Sequence, residues 1–167
     1  MHRRLSSLLV VAAFAPLLIP SGVRLAWGKT LGPPEVAWKD MTFDQKKAYM
    51  KAAVMPAMKP VFQGFDAKKF KDFTCMSCHG HDGPDRKFKM PSNDIHPLPN
   101  THEAFEAKMK TEPTWPKWTE FMAKQVEPAM GKLLDVEIFN PQKPVKGAFG
   151  CANCHKLEAA APSSAKP

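Results

Sequence analysis

Two stretches of the chain carry apolar residues at the spacing of an amphipathic helix. In each stretch the apolar positions recur at intervals of four, four and three residues. Such intervals place side chains along one face of a helix. The pattern predicts two helices with matching apolar faces, formed by Met50, Val54, Met58 and Val61 in the first and by Met122, Val126, Met130 and Leu133 in the second.

The same two stretches match each other residue by residue. Residues 49–58 and 121–130 are identical at five of ten positions, including the proline of each helix, Pro56 and Pro128. A proline inside a helix removes a hydrogen bond and kinks or restarts the helix. We therefore expect both helices to bend just before Met58 and Met130. The match predicts an internal duplication in which each half runs from a helix through a loop to a cysteine motif.

The remaining pattern predicts an all-α fold of short helices. Proline makes up 17 of the 167 residues, about twice its usual share, which favours short helices broken by turns. A further short helix is predicted near residues 102–111, capped by Thr101 or Asn100 and with Glu103 in its first turn. Helix and loop segments leave little of the chain for strands.

Composition limits the class of protein further. Apolar residues account for 44% and charged residues for 24% of the chain, as in ordinary globular proteins. These values exclude disordered, collagen-like and polytopic membrane chains. Four cysteines are too few for a disulfide-dense scaffold. The net charge of +8 comes mainly from lysines interspersed with acidic residues, which indicates a solvated surface and no nucleic-acid partner.

The first residues have the layout of a secretory signal peptide. Two arginines precede an apolar run at residues 8–19, and small residues at positions 26 and 28 favour cleavage before Lys29. Twelve apolar residues fall short of the roughly 20 needed to span a bilayer, although an uncleaved anchor is the alternative. We expect an exported, periplasmic protein after cleavage near Gly28/Lys29.

The sequence predicts one domain between two terminal segments. The signal peptide covers residues 1–28, and an Ala/Pro/Ser-rich tail covers residues 158–167. The domain is divided into repeat one (41–80), a connecting segment (81–112) and repeat two (113–157), together within 29–157.

All four cysteines belong to two CxxC pairs that are each followed by histidine. The motifs are Cys75-Met76-Ser77-Cys78-His79 and Cys151-Ala152-Asn153-Cys154-His155. CxxCH is the attachment motif of c-type haem, in which both thiols bind the porphyrin and the histidine ligates iron. A CxxC disulfide, a four-thiolate zinc site and a thioredoxin-like motif are alternatives, but none requires a histidine after each pair. The sequence therefore predicts two haem c groups.

The sixth ligand of each iron is expected to be a methionine. The duplication marks two equivalent pairs of methionines on the predicted helices, Met50 with Met122 and Met58 with Met130. Methionines also fill cores, which is the competing interpretation. No methionine or histidine follows His155 in the sequence, so we expect the second haem to take its ligand from upstream.

A methionine-bearing helix that leads through a loop to CxxCH resembles the haem-binding segments of one known family. These are the segments of the tetrahaem cytochrome subunit of purple-bacterial photosynthetic reaction centres, and the similarity covers roughly residues 41–79 and 113–155. The resemblance implies that Met58 serves the haem of His79 and that Met130 serves the haem of His155. The chain departs from the family in having two segments, not four, and long loops between methionine and cysteine.

Other ligands of the first iron stay open. Met90 follows His79 by eleven residues, and the stretch after the first motif resembles the loop of single-haem class I cytochromes c. That resemblance implies that the carbonyl of Pro97 or Pro99 receives the N–H of His79. A histidine ligand would make the first haem bis-histidine and lower its potential. The histidines available for this are His81, His96 and His102.

These motifs predict an electron-transfer protein and not an enzyme. Two haems in one small domain lie close together, which favours the exchange of single electrons between redox protein partners, including a membrane-bound electron-transfer complex. Lysines 68, 69 and 71 are expected to steer the protein toward an acidic partner. The alternative is a haem enzyme, such as a dihaem peroxidase or reductase, or a haem sensor. Either requires one iron with an open sixth position.

Overall fold

The computed structural model of the chain describes residues 34–159. The predicted signal peptide and all but the first two residues of the predicted tail lie outside the described residues. Six α-helices are present in the described part: α1 (Phe43–Tyr49), α2 (Met55–Phe65), α3 (Met76–His79), α4 (His102–Thr111), α5 (Trp115–Phe121) and α6 (Glu127–Leu134). The other helical segments are 3-10 turns at Trp38–Asp40 and Cys151–Asn153, and π-helical segments at Met50–Val54 and Met122–Val126.

Each π-helical segment joins two α-helices into one long helix. The first long helix (residues 43–65) contains α1, Met50–Val54 and α2, and the second long helix (residues 115–134) contains α5, Met122–Val126 and α6. The first begins at a capping box in which Thr42 and Gln45 exchange side-chain to backbone hydrogen bonds. Both long helices therefore have the same order of segments, α then π then α.

The prolines account for the π-helical segments. Pro56 and Pro128 are each the second residue of the α-helix that follows. A proline ring clashes with the carbonyl four residues earlier in an α-helix. The preceding residues, Met55 and Glu127, instead donate to carbonyls five residues back, those of Met50 and Met122. Each α-helix restarts after a wider turn that lies before its proline. The expected bend just before Met58 and Met130 stays a prediction.

The two long helices pack against each other in antiparallel orientation. Near the start of the first, the Tyr49 hydroxyl donates to the carbonyl of Leu133 near the end of the second, at 2.5 Å. At the other end, the ring of Phe65 stacks on Phe121 with centroids 4.0 Å apart and meets Trp118 at 4.6 Å. The contacts at both ends fix the pair along its length.

The buried core lies between these helices and the segment before the first cysteine motif. It is largely aromatic at one end, where Phe62 lies 4.9 Å from Phe73 and 5.3 Å from Phe121 between ring centroids. We call the buried cluster the helix-pair core; its members are Val54, Met58, Phe62, Phe73, Phe121, Leu133 and Leu134.

The described residues contain helices and no strand, as the all-α prediction requires. Two isolated bridges, Leu98 with Leu157 and Ile138 with Phe149, are the β-type pairings found among them. The predicted helix at 102–111 is confirmed as α4, and its cap is Thr101, whose hydroxyl accepts from the N–H of Ala104. No helix in this part of the chain is long and apolar enough to cross a membrane.

Candidate haem-binding site

The first cysteine motif forms a single helical turn. The carbonyl of Cys75 accepts from the N–H of Cys78 at 3.3 Å and from the N–H of His79 at 3.0 Å. Thr74 donates to the Ser77 hydroxyl at 3.0 Å and closes the start of the turn. These bonds gather both thiols and the imidazole of the motif on one turn of chain.

The second motif has the same pattern of hydrogen bonds. The carbonyl of Cys151 accepts from Cys154 at 3.1 Å and from His155 at 2.9 Å. The side chain of Asn153 accepts from the N–H of Gly150 at 2.8 Å. The turn is a 3-10 turn where the first is α-helical.

The two motifs lie near each other, beside the helix-pair core. Cys78 packs against this core. Burial raises the pKa of the Cys78 thiol to about 12, and the thiols of Cys154 and Cys75 act in the same direction. Burial also raises the pKa of Cys154, to about 11 with smaller contributions in the same direction from Cys151 and Glu127. Ser92 connects the two motifs, because its N–H donates to the carbonyl of Cys154 at 3.2 Å and its hydroxyl would lie 2.8 Å from a Cβ placed on Gly80, the residue after His79.

His79 has a half-buried ring that interacts with the backbone of Phe88. Its buried Nδ1 makes no hydrogen bond within the described residues. Burial lowers the pKa of His79, a hydrogen bond to the backbone of Phe88 opposes this effect, and Arg86 acts in the same direction as burial. A buried imidazole that favours the neutral form is the state in which histidine binds a metal.

His155 is oriented by a carbonyl from the connecting segment. Its Nδ1 lies 2.7 Å from the backbone oxygen of His96. A proton on Nδ1 donates this bond and leaves Nε2 with its lone pair, the arrangement typical of a metal-binding histidine.

This contact corrects one expectation from the sequence. Pro97 or Pro99 was predicted to receive the N–H of His79, and that prediction is wrong. The carbonyl in use belongs to His96, and the histidine that it serves is His155. The reason is that residues near 98 pair with the chain after the second motif, a contact that local sequence does not reveal.

The methionines divide into two groups by their surroundings. Met58 is a fully enclosed member of the helix-pair core, 2% exposed. Met130, Met50 and Met122 are half-buried and pack against the same core, as Cys78 does. Met90 lies in the loop after the first motif and is not among the described residues packed on this core. The structure thus brings the helix methionines, and not Met90, to the core that contacts the first motif.

The three histidines considered as alternative ligands, His81, His96 and His102, are all exposed. The Nδ1 of His81 lies 2.6 Å from the carboxylate of Asp94 on the exposed surface. The ring of His96 is exposed and faces Trp115 with centroids 5.6 Å apart. His102 is the exposed first residue of α4.

A polar network in the loop after the first motif was missed by sequence reasoning. Arg86 donates to the carbonyls of His79 at 3.3 Å and Pro91 at 3.1 Å, and pairs with Asp82 at 2.9 Å. Asp82 in turn accepts from Asn93. The sequence held one clue, since Arg86 is the single arginine after residue 28.

Glu127 was also missed. It is half-buried beside the second motif, where its carboxylate comes within 3.6 Å of the position that a Cβ on Gly150 would take. Burial raises the pKa of this carboxyl. Glu127 therefore adds an acidic group next to Cys151 and Cys154.

The four cysteines are free in this structure. Among residues 34–159, no group of three or more His, Cys, Asp or Glu side chains is arranged to hold a metal ion directly. Comparisons with models of protein families, with curated protein sequences and with solved structures found no match to this chain.

Proposed function

We propose that this protein is an exported dihaem c-type cytochrome that carries single electrons between redox partners. The observation that carries the proposal is the pair of CxxCH turns, in which one cysteine carbonyl accepts from both the second cysteine and the histidine. Two distant parts of a chain are not expected to share both this motif and this hydrogen-bond pattern by chance. The duplicated order of segments in the two long helices supports the same reading.

The residues present fit haem c. In each motif the two thiols lie on one turn of chain. Burial raises the pKa of Cys78 and of Cys154, which favours the neutral thiol at these two positions. The partnerless Nδ1 of His79 and the oriented ring of His155 supply imidazole ligands. When bound, haem c supplies a reversible one-electron couple at iron.

Under this proposal each residue has a defined task. Cys75 and Cys78 would hold one haem covalently, and Cys151 and Cys154 would hold the other. His79 and His155 would each supply an imidazole to an iron. Met58 and Met130 would each supply a thioether, and the alternatives to them are Met90, Met50 and Met122.

Met58 is supported by its surroundings, since it belongs to the helix-pair core that also contacts Cys78 of the first motif. Burial of this thioether close to the first motif excludes water from that side of the site. Met130 packs against the same core and is proposed as the counterpart of Met58 in the duplication. A water-excluding site favours methionine over an exchangeable ligand at the sixth position.

The partner surface is proposed to lie at the junction of the two long helices. Lys69 extends over the ring of Trp118, with Nζ 4.2 Å from the centroid, and Lys117 lies 5.0 Å from that of Phe65. Lys68 and Lys71 are exposed beside them. These lysines surround the aromatic end of the core, next to the first motif, and fit an acidic redox protein or membrane-bound complex.

A haem enzyme is the second candidate, and one pair of residues favours it. The contact with Asp94 raises the pKa of His81, which lies two residues after His79. A histidine paired with a carboxylate is a group of the type used in general acid–base catalysis. An enzyme of this class needs an iron that is open on one side, and turnover of peroxide by the haem-loaded protein distinguishes it from a carrier.

The proposal is tested by producing the full chain with a periplasmic haem-attachment system. Intact-mass measurement should give two covalent haems per chain, and a coulometric titration should take up two electrons per chain. The control is the variant in which Cys75, Cys78, Cys151 and Cys154 are all alanine, which should carry none. An unmodified wild-type chain, in a host that matures another cytochrome c, contradicts the proposal.

A further inference from the structure

The connecting segment carries a short strap that spans both cysteine motifs. We define the strap as residues 92–98. At one end the N–H of Ser92 donates to the carbonyl of Cys154 at 3.2 Å. At the other end Leu98 donates to the carbonyl of Lys156 and accepts from the N–H of Glu158, both at 2.8 Å. The strap thus binds the second motif on both sides of His155.

The opposite side of the strap lies against the first motif. A Cβ on Gly80, the residue after His79, would come within 2.8 Å of the Ser92 hydroxyl and 3.0 Å of the Asp94 carboxylate. Gly80 has φ +81°, so a glycine is required there for two reasons, space and backbone conformation. Asp94 also accepts from the N–H of His81 at 2.7 Å. The strap is therefore held by residues that follow His79 directly.

Between these anchors the carbonyl of His96 accepts from His155. The distance of 2.7 Å is that of a good hydrogen bond. The next residue is Pro97, which restricts the backbone of His96 to extended conformations. The carbonyl is consequently fixed by the strap and by the proline, while the ring of His96 is exposed and faces Trp115.

We infer that His96, through its backbone carbonyl and with its conformation fixed by Pro97, is a positioning residue that sets the properties of the second haem iron. This inference rests on the proposed function. It means that a backbone carbonyl in the segment after the first motif orients the histidine of the second motif, 59 residues further along the chain. The Nδ1 of His79 makes no such bond to a carbonyl of the strap.

The inference predicts a difference between the two irons. A carbonyl that accepts from the Nδ1 proton makes the imidazole a more basic ligand. A more basic ligand favours oxidised over reduced iron and so lowers the reduction potential. Loosening the strap should raise the potential of the second haem and leave that of the first unchanged.

The test compares three variants of the haem-loaded full chain. Pro97→Ala frees the backbone of His96, His96→Ala keeps the carbonyl and Pro97 but removes the imidazole, and Pro144→Ala changes an exposed proline in the loop before the second motif. Two measurements are made on each variant. The first gives the two reduction potentials, which are assigned to the haems through the paramagnetic NMR shifts of residues flanking each motif. The second gives the exchange rate of the His155 Nδ1 proton in ¹⁵N-histidine-labelled reduced protein.

Pro97→Ala should speed exchange of that proton by roughly twofold to tenfold, the loss expected from weakening one hydrogen bond, and should raise the second potential. The variants His96→Ala and Pro144→Ala should change neither. The inference is overturned if Pro97→Ala acts on the first haem, if it acts on neither, or if His96→Ala has an equal effect.

Two further results keep the test decisive. Should Pro97→Ala fail to accumulate, the wild-type protein still decides the matter. Its His155 Nδ1 proton must show the downfield shift of a hydrogen bond to a carbonyl, and absence of that shift overturns the inference. Absence of haem from the wild type instead refutes the proposed function, which is a separate outcome.

Discussion

The two cysteine motifs have the same turn but are held in place by different means. The first rests on the protein interior, because Cys78 packs on the helix-pair core and Phe73 is part of that core. The second is more exposed. Phe149 packs against the same core, but this motif is held mainly by backbone hydrogen bonds, from the strap on one side and from the pairing of Phe139 with Phe149 on the other. The comparison teaches that one local geometry can be fixed by different shares of apolar packing and long-range backbone pairing.

A second difference lies at the start of the α-helix that follows each π-helical segment. Met55 occupies this place in the first long helix and packs against the core. Glu127 occupies it in the second and lies half-buried near Cys151 and Cys154. The second motif therefore has an acidic neighbour where the first has an apolar one.

The largest expected effect comes from removing the cysteines of one motif at a time. Cys75→Ala/Cys78→Ala and Cys151→Ala/Cys154→Ala should each lower the covalent haem content from two to one, measured by intact mass. The first pair should lower the thermal unfolding temperature more, because Cys78 packs on the core. Equal loss of stability in both variants would contradict the contrast between a packed and a strapped motif.

The next effect concerns the methionines. Met58→Ala should cost about 2–5 kcal/mol in the free energy of unfolding, since it leaves a cavity at a side chain that is 2% exposed. Met130→Ala should cost less, because Met130 is half-buried. Each variant should also remove half of the methionine-to-iron charge-transfer absorption. Met55→Ala is the control and should leave that absorption intact; equal loss in the control would exclude both assignments.

A smaller effect is expected at Glu127. Burial raises its pKa above the ordinary value of 4.5, so the folded state favours the protonated carboxyl. The stability that this gives is present below pH 4.5 and is lost as the pH rises through the raised pKa. Glu127→Gln should therefore stabilise the protein at neutral pH, with the difference disappearing in acid.

The same substitution distinguishes the two haems. Removing a negative charge beside Cys151 and Cys154 should raise the potential of the second haem at neutral pH and spare the first. Glu137→Gln, at an exposed position, serves as the control. Potentiometry at several pH values checks both statements, and a shift confined to the first haem would show that Glu127 acts elsewhere.

The smallest effect concerns the lysines next to the first motif. Lys68→Gln/Lys69→Gln should slow electron transfer to hexacyanoferrate(III) by about twofold at low ionic strength, with the difference fading as salt is added. Lys143→Gln/Lys146→Gln, in the exposed loop before the second motif, is the matched control. Stopped-flow rates that fall equally in both variants would mean that net charge, and not this surface, governs the encounter.

Those parts of the fold that depend on neighbouring residues were predictable. The apolar intervals predicted both long helices, and the choice of Thr101 or Asn100 as cap predicted the start of α4, because these signals act within one or two turns of helix. The prolines predicted an interruption at the right place in each helix. The π-helical segments themselves were not predicted, since a bend and a widened turn both relieve the clash between a proline ring and the carbonyl four residues earlier.

The contacts of the strap and of the Arg86 network could not be predicted from the sequence, and the reason is physical. The contact of His96 with His155 joins irregular segments that carry no hydrophobic period, and its acceptor is a backbone carbonyl that any residue supplies. The contacts of Arg86 likewise end on carbonyls. The chemical groups of the candidate site are therefore a prediction from the sequence, while the carbonyl expected to face His79 is found at His96 and faces His155.

The most direct test of the account is the absorption spectrum of the ferric, haem-loaded protein together with its haem content. The account predicts two covalent haems per chain and a long-wavelength methionine-to-iron band with the strength of two His/Met irons. A high-spin spectrum, or two haems without this band, would contradict methionine ligation and favour an iron that is open or bound by histidine. A chain without covalent haem would contradict the account as a whole.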